Sequence, residues 1–532
     1  MSGKKGISAE TATALLSLII ECNSALELYI LFADVKAAYD NLWKEAVWAK
    51  LADAHPALID SKRVAALYEH FRSYIDEPDF RSQVVESVIG VPQGGPRSGD
   101  VFCFFTSDLP EELKTNGVGV EVLTLFLVCL VYLDDWTLPI TSEQGVIRAL
   151  NVLHDYGQRW SMTWALPKIK VLPINVKKPP SHWPFGPHRV PSVSHETYLA
   201  VVFNNKQNWN QHFKARLNTA KHTAANLRSK GLLGGRNNPE KNIQMTRAIL
   251  WSQIDYGRGA TDPHKPGHLT TLKNLATFQY NILREILNLS QSVPRDGLLG
   301  ETGDIPDHWR HIRKQVAITH QLLSAPPLSI PRTVAEAAYD SKTGVVGRAI
   351  KALLDIKADP HLLKDEKAKP ALKQAIMLAA QREWRTRVAS NRRIAATYTH
   401  TRTLTFRKYL SEAYKGRTIL LKLRLDDLPL GAASYKLTSS TTHTTRCAAC
   451  GQAPETRLHF ALNCKALSNS RCNHPELLQI IGLLPQEQAF ETILLARPRS
   501  AADNLTRAKL VAAYLYELWH HRCHLTGSYP YF

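Results

Sequence analysis

The sequence is poor in cysteine, with 8 in 532 residues, which excludes a scaffold held by disulfides. Long apolar runs are also missing. The longest, about Val122 to Leu133, has 12 residues with Thr124 among them, whereas a membrane-spanning helix needs about 20. The N-terminus carries no apolar stretch beside a cleavage site of the kind a secretory signal requires, and no internal repeat is visible. With 44% apolar residues the chain is neither disordered nor fibrous. A soluble, intracellular, globular protein of roughly three or four domains is expected.

What is present begins with an uneven charge. The formal net charge of +19 comes from 66 basic and 47 acidic residues. Residues 1–200 carry 18 Lys and Arg against 23 Asp and Glu, a net charge of −5, while residues 201–532 carry 48 against 24, a net charge of +24. Clustered Lys and Arg are the electrostatic footprint of nucleic-acid binding, so the second part is expected to hold a polyanion and the first to work through acids. A solvated basic surface without specificity is the plainer alternative.

Hydrophobic periodicity predicts a helix over Gly6–Ser24 with Ser8 as N-cap, then a buried strand, "ELYILFADV", ending at Asp34. A helix follows with Trp43, Val47 and Leu51 on one face. Alternation over Arg81–Val91 predicts a strand leading into "GVPQGGPRSGD", whose glycines permit turns closed to other residues. Next come a helix from Phe102 to Leu113, another from Gln144 to Trp160, a Pro-rich surface loop from Pro179 to Pro191, and a short strand, "TYLAVVF". Beyond Asn204 the pattern turns helical and basic, as in "KARLNTAKHTAANLRSK" and "TLKNLATFQYNILREILNL".

The segment "FLVCLVYLDDWTLPI" sets Asp134 and Asp135 between apolar flanks. Burying an ionised carboxylate is costly unless it is paired or holds a metal. The pair therefore implies either a hairpin whose tip simply reaches water or a site for a cation. Asp34 and this hairpin would together present three carboxylates, a donor set that suits two Mg²⁺ ions with substrate phosphates in their remaining positions.

"FADVKAAYD", "GVPQGGPRSGD", "YLDD", "WALPKIK" and "YLAVVF", in that order, resemble the successive palm motifs of reverse transcriptases, most closely those of non-LTR (LINE-type) retrotransposons. The resemblance implies that Asp34 and Asp134 are the principal metal ligands, with Asp135 beside them. Because neighbouring strand residues face opposite ways, Asp135 remains open as a ligand. It also implies that Tyr39 lies under the sugar and favours dNTPs, that Gln93 and Gly94 contact nucleotide and template, and that Lys168 protonates the leaving pyrophosphate. Lys170 is close enough to compete for that last role. Arg97 and Asp100 depart from the family's uncharged pattern. "KKGISAETATALL" resembles the segment just before the first catalytic Asp, so most of the fingers, and any preceding endonuclease domain, are expected to be missing.

Near the C-terminus Cys447, Cys450, His459 and Cys464 follow a C-x2-C-x8-H-x4-C spacing, which provides four N/S ligands for a structural Zn²⁺. Cys472 and His474 are near enough in sequence to compete. The segment resembles the C-terminal cysteine-histidine motif of the same retrotransposon proteins.

The expected architecture is an α+β palm with an antiparallel sheet over residues 1–207, a helical basic thumb over 208–325, a basic helical region over 332–440 and a zinc-knuckle region over 441–532. RNA-templated DNA synthesis for a retrotransposon is the implied function, with an RNA template, a DNA primer or target and dNTPs as partners and the nucleus or cytoplasm as compartment. A remnant that binds nucleic acid without polymerising is the main alternative. An RNA-dependent RNA polymerase is a third reading, and Tyr39 argues against it.

Overall fold

Seven consecutive buried residues, Leu28–Asp34, form strand β1. Burial on both faces is what a central strand between two packed layers requires. In the computed structural model, which describes residues 8–54, 66, 72–86, 89–95, 97–123, 125–234, 237–263, 269–398, 401, 403–431, 446–495 and 503–528, β1 is flanked by neighbours on both edges. The flanking strands are β3 (Asp135–Ile140) and β4 (Lys170–Ile174), and β2 (Leu130–Tyr132) pairs with the outer edge of β3, in the sheet order β4-β1-β3-β2 with every pairing antiparallel.

Register decides which side chains share a face. Tyr29 pairs with Ile140, Leu31 with Leu138 and Ala33 with Trp136. These six pack in one buried cluster with Phe102 and Phe105 of helix α1 (Ser98–Phe105) and with Val146, Leu150, Leu153 and Tyr156 of helix α2 (Glu143–Arg159). Since strand side chains alternate, Asp34 and its register partner Asp135 lie on the other face, at the end of the sheet.

The chain sorts into two compact units, one of residues 1–212, 256–268 and 311–373, the other of 213–255, 269–310 and 374–532. The first holds the sheet. Its opening helix, Ala9–Cys22, is capped by Ser8, whose hydroxyl accepts from the Thr11 amide. Thr11 returns a bond to the cap backbone, and Glu10 instead pairs with Lys314 at 3.0 Å. The second unit is helical among its described strand-free segments, with Leu269–Leu287 close to its expected place.

Several local expectations are corrected. "TYLAVVF" is a hairpin, His195–Tyr198 with Val201–Asn204, because Leu199 and Ala200 both take positive φ, 44° and 62°. A two-residue turn of that kind normally announces itself with Asn or Gly. The Pro-rich stretch is also a hairpin, His182–Phe185 with His188–Pro191, and its Trp183 is buried in the same core cluster. The helix expected over Phe102–Leu113 breaks into α1 and a separate helix, Leu109–Thr115, with Pro110 in its first turn. On helix Lys44–Ala54 Val47 is buried, whereas Trp43 precedes it and is 40% exposed.

Candidate active site

The hairpin joining β2 to β3 has a two-residue turn, Leu133-Asp134, since Tyr132 pairs directly with Asp135. Leu133 sits at φ 59°, a left-handed backbone that a bulky residue adopts only under constraint. Its side chain has room because Gly99 of α1 faces it: a Cβ at Gly99 would lie 3.3 Å from Leu133 Cδ2 and 3.8 Å from the Tyr39 hydroxyl. The turn is tied to the neighbouring strand end by the Val35 amide, which donates to the Asp134 carbonyl at 3.4 Å.

Asp34, Asp134 and Asp135 form one electrostatic group. Asp34 is 7% exposed, and Lys168 Nζ lies 2.7 Å from its Oδ2. Asp135 shares a hydrogen bond with Asp34; burial first, then the charges of Asp134 and Asp34, push its carboxyl up to about 6. Burial raises Asp134 as well, the charge of Asp34 adding to it and Lys168 opposing. The register answers the open question about direction: Asp135 points to the face of Asp34, and Asp134 stands in the turn beside them.

Lys168 and Lys170 separate cleanly. Lys168 closes a short 3₁₀ turn, Leu166–Lys168, that the Ala165 amide fastens to the Asp34 carbonyl at 2.8 Å. Hydrogen bonding to Asp34 raises its pKa. Lys170 begins β4 and pairs with Glu196 at 2.7 Å, a partner from the hairpin missed in the sequence.

Tyr39 packs its ring 5.9 Å from that of Phe102 and feels the charge of Asp134. The turn that carries it is joined to the glycine-rich loop: the Val91 amide donates to the Tyr39 carbonyl at 2.8 Å, and the Gly90 amide to the Leu42 carbonyl at 2.9 Å. Gln93 is exposed and donates through Nε2 to Asp40 Oδ2 at 2.9 Å. Gly94, at φ 81°, has open space where a Cβ would stand. Arg97 precedes α1 without a side-chain cap bond. The structure thus gathers the three carboxylates, Lys168, Tyr39 and the Gly90–Gly94 loop around one end of the sheet.

A second cluster lies in the other unit. The donor atoms of Cys447, Cys450, His459 and Cys464 all fall within 4.8 Å of one another. Cys447 Sγ is 3.7 Å from Cys464 Sγ, and Cys450 Sγ is 3.3 Å from His459 Nε2. A tetrahedron with Zn–S bonds of about 2.3 Å has S···S edges of about 3.8 Å, which the Cys447–Cys464 separation of 3.7 Å matches. Burial lowers the pKa of His459, keeping the ring neutral as a ligand must be. Cys472 and His474 do not compete: Cys472 is exposed, and His474 pairs with Glu517 at 2.8 Å. Arg522 and Glu455, unremarkable in sequence, support the cluster. Arg522 grips Glu455 at 2.5 and 2.8 Å, and Glu455 accepts from Cys447 Sγ at 3.8 Å.

Comparison with known proteins agrees with the motifs. Residues 8–222 match the family model described as reverse transcriptase (RNA-dependent DNA polymerase). Over 138 residues the chain is 25% identical to the RNA-directed DNA polymerase from mobile element jockey of Drosophila funebris, covering 25% of this chain and 14% of that protein. Among solved structures, telomerase from Candida albicans with a fragment of telomeric RNA aligns over 62% of this chain and 54% of its own, at 12% identity and a TM-score of 0.23. So low a score carries no structural argument. Among the described residues no helix is long and apolar enough to cross a membrane.

Proposed function

We propose that the chain is an RNA-directed DNA polymerase of a LINE-type retrotransposon, joining dNTPs to a primer 3′-hydroxyl. The observation that carries this reading is the pairing of Asp34 with Asp135 across β1 and β3, with Asp134 in the adjoining turn. Three carboxylates on one point repel each other unless a cation lies between them, and their oxygen donors suit Mg²⁺. Two such ions, when bound, supply charge neutralisation at the attacking hydroxyl and the leaving pyrophosphate. Asp34 and Asp134 hold them, with Asp135 as third carboxylate.

The chain's own residues do the rest. Lys168, beside Asp34, is the proton donor to pyrophosphate; its place next to the carboxylates favours it over Lys170, which pairs with Glu196 instead. Tyr39, packed against Phe102, lies under the sugar and excludes a 2′-hydroxyl, and the Gln93-Gly94 loop contacts the nucleotide and template. The basic residues after 200 hold the template–primer duplex through its phosphates. Cys447, Cys450, His459 and Cys464 bind one structural Zn²⁺.

Primer extension on an RNA template with Mg²⁺ tests the reading. Extension with dNTPs at least tenfold faster than with NTPs is expected, since a blocked 2′-hydroxyl is worth at least the roughly 1.4 kcal/mol that a factor of ten represents. Extension with NTPs alone would convert the assignment to an RNA polymerase, and template binding without extension would leave a nucleic-acid-binding remnant.

A further inference from the structure

Two loops that meet at the nucleotide end of the sheet are stitched together by more than the pattern of motifs requires. Gly90 stands at φ 81°, and a Cβ there would lie 2.4 Å from the Asp40 carbonyl oxygen and 2.8 Å from that of Tyr39. The Gly90 and Val91 amides donate to Leu42 and Tyr39. This close backbone approach, which only glycine allows, delivers the Asp40 carboxylate to the Gln93 amide at 2.9 Å. Asp40 belongs to the turn after the first carboxylate, Gln93 to the glycine-rich loop, and 53 residues separate them.

An exposed glutamine is a poor reader of a ligand on its own. Its amide presents an oxygen acceptor and an NH₂ donor that interchange on rotation, and fixing a side chain of this length costs about 1–2 kcal/mol of rotamer entropy. An ionised carboxylate only accepts, so the bond to Asp40 commits Nε2 to that side and leaves Oε1 with one defined direction. Both groups are exposed, so the contact adds little to stability. Its effect is on orientation.

We infer that Asp40 is a positioning residue of the nucleotide pocket, holding Gln93 in the rotamer and amide orientation that meets the incoming dNTP and its template base. The inference rests on the polymerase reading above. Acting through Gln93, Asp40 touches neither substrate nor metal, so its removal affects nucleotide capture more than the chemical step. An asparagine in its place keeps an acceptor oxygen at the same distance, provided its amide turns Oδ1 toward Gln93.

Steady-state extension on an RNA template, with dNTP varied, tests this on the full chain. For Asp40→Ala the KM for dNTP should rise about fivefold to tenfold, the range expected for an exposed charge-assisted hydrogen bond, with kcat changed less than twofold. Asp40→Asn should restore KM to within about twofold, and Gln93→Ala combined with Asp40→Ala should add nothing to Gln93→Ala alone. Wild-type extension with an unchanged KM in Asp40→Ala overturns this inference and leaves the polymerase reading intact. A fall in kcat and thermal midpoint together, unrelieved by asparagine, also overturns it by assigning Asp40 a structural role. A wild-type chain that extends nothing overturns both.

Discussion

Lys168 and Lys170, two residues apart, show how much a single partner decides. Lys168 reaches Asp34 while Lys170 is held by Glu196. Lys168→Ala should therefore lower kcat for nucleotide addition by about a hundredfold, the usual scale for loss of a general acid. Lys170→Ala should change kcat less than threefold; pre-steady-state extension measures both, and equal losses would contradict the assignment. In the second unit the decisive residue is Glu301, fully buried and accepting from Arg424 Nε at 2.8 Å and from the Tyr398 and Tyr409 hydroxyls at 2.5 and 2.9 Å. Removing one partner leaves the other charge buried and unpaired, at about 3–5 kcal/mol. Glu301→Ala should lower the urea midpoint of the second unit accordingly, and an unchanged midpoint would show that this network is dispensable.

Among the elements, the tie between the Tyr39 turn and the glycine-rich loop is the most sensitive to a small change. Gly90→Ala places a methyl group against the Asp40 carbonyl in a backbone region unfavourable to alanine, and a loss of about 1–3 kcal/mol is expected for the backbone alone. Thermal denaturation measures it; stability equal to wild type would mean that the loop relaxes freely. The Cys447–Cys464 element should carry one zinc per chain by elemental analysis. Double substitution Cys447→Ser with Cys464→Ser should abolish it and expose the second unit to proteolysis, and stoichiometric zinc surviving that change would refute the ligand set. Both features were legible in sequence to different degrees. The β1 strand, its terminal Asp34 and the C-x2-C spacing follow from apolar continuity and ligand chemistry, which are local. The Leu199-Ala200 turn was not legible, because its left-handed backbone is imposed by the strands it joins rather than by glycine or asparagine. Trp183 was hidden by the prolines around it. The direction of Asp135 depended on register with β1, a long-range property, as did the partnership of Arg522 with Glu455 across 67 residues.

For the molecule as a whole, the split in charge fits the proposed reading: carboxylates gather at one end of a sheet in the first unit, and residues 201–532, which belong to both units, carry the net charge of +24 that the reading assigns to holding a polyanion. The salt dependence of template binding should follow the second part, and the chemistry should follow the first. Comparing wild type with Asp34→Asn and Asp134→Asn in single-nucleotide extension of a DNA primer on an RNA template, with Mg²⁺ and with template affinity measured on the same samples, tests this most directly. The account predicts that wild type extends, that each substitution lowers extension by about a thousandfold or more through loss of metal-held charge neutralisation, and that template affinity stays within about threefold. Extension undiminished in either variant would contradict it.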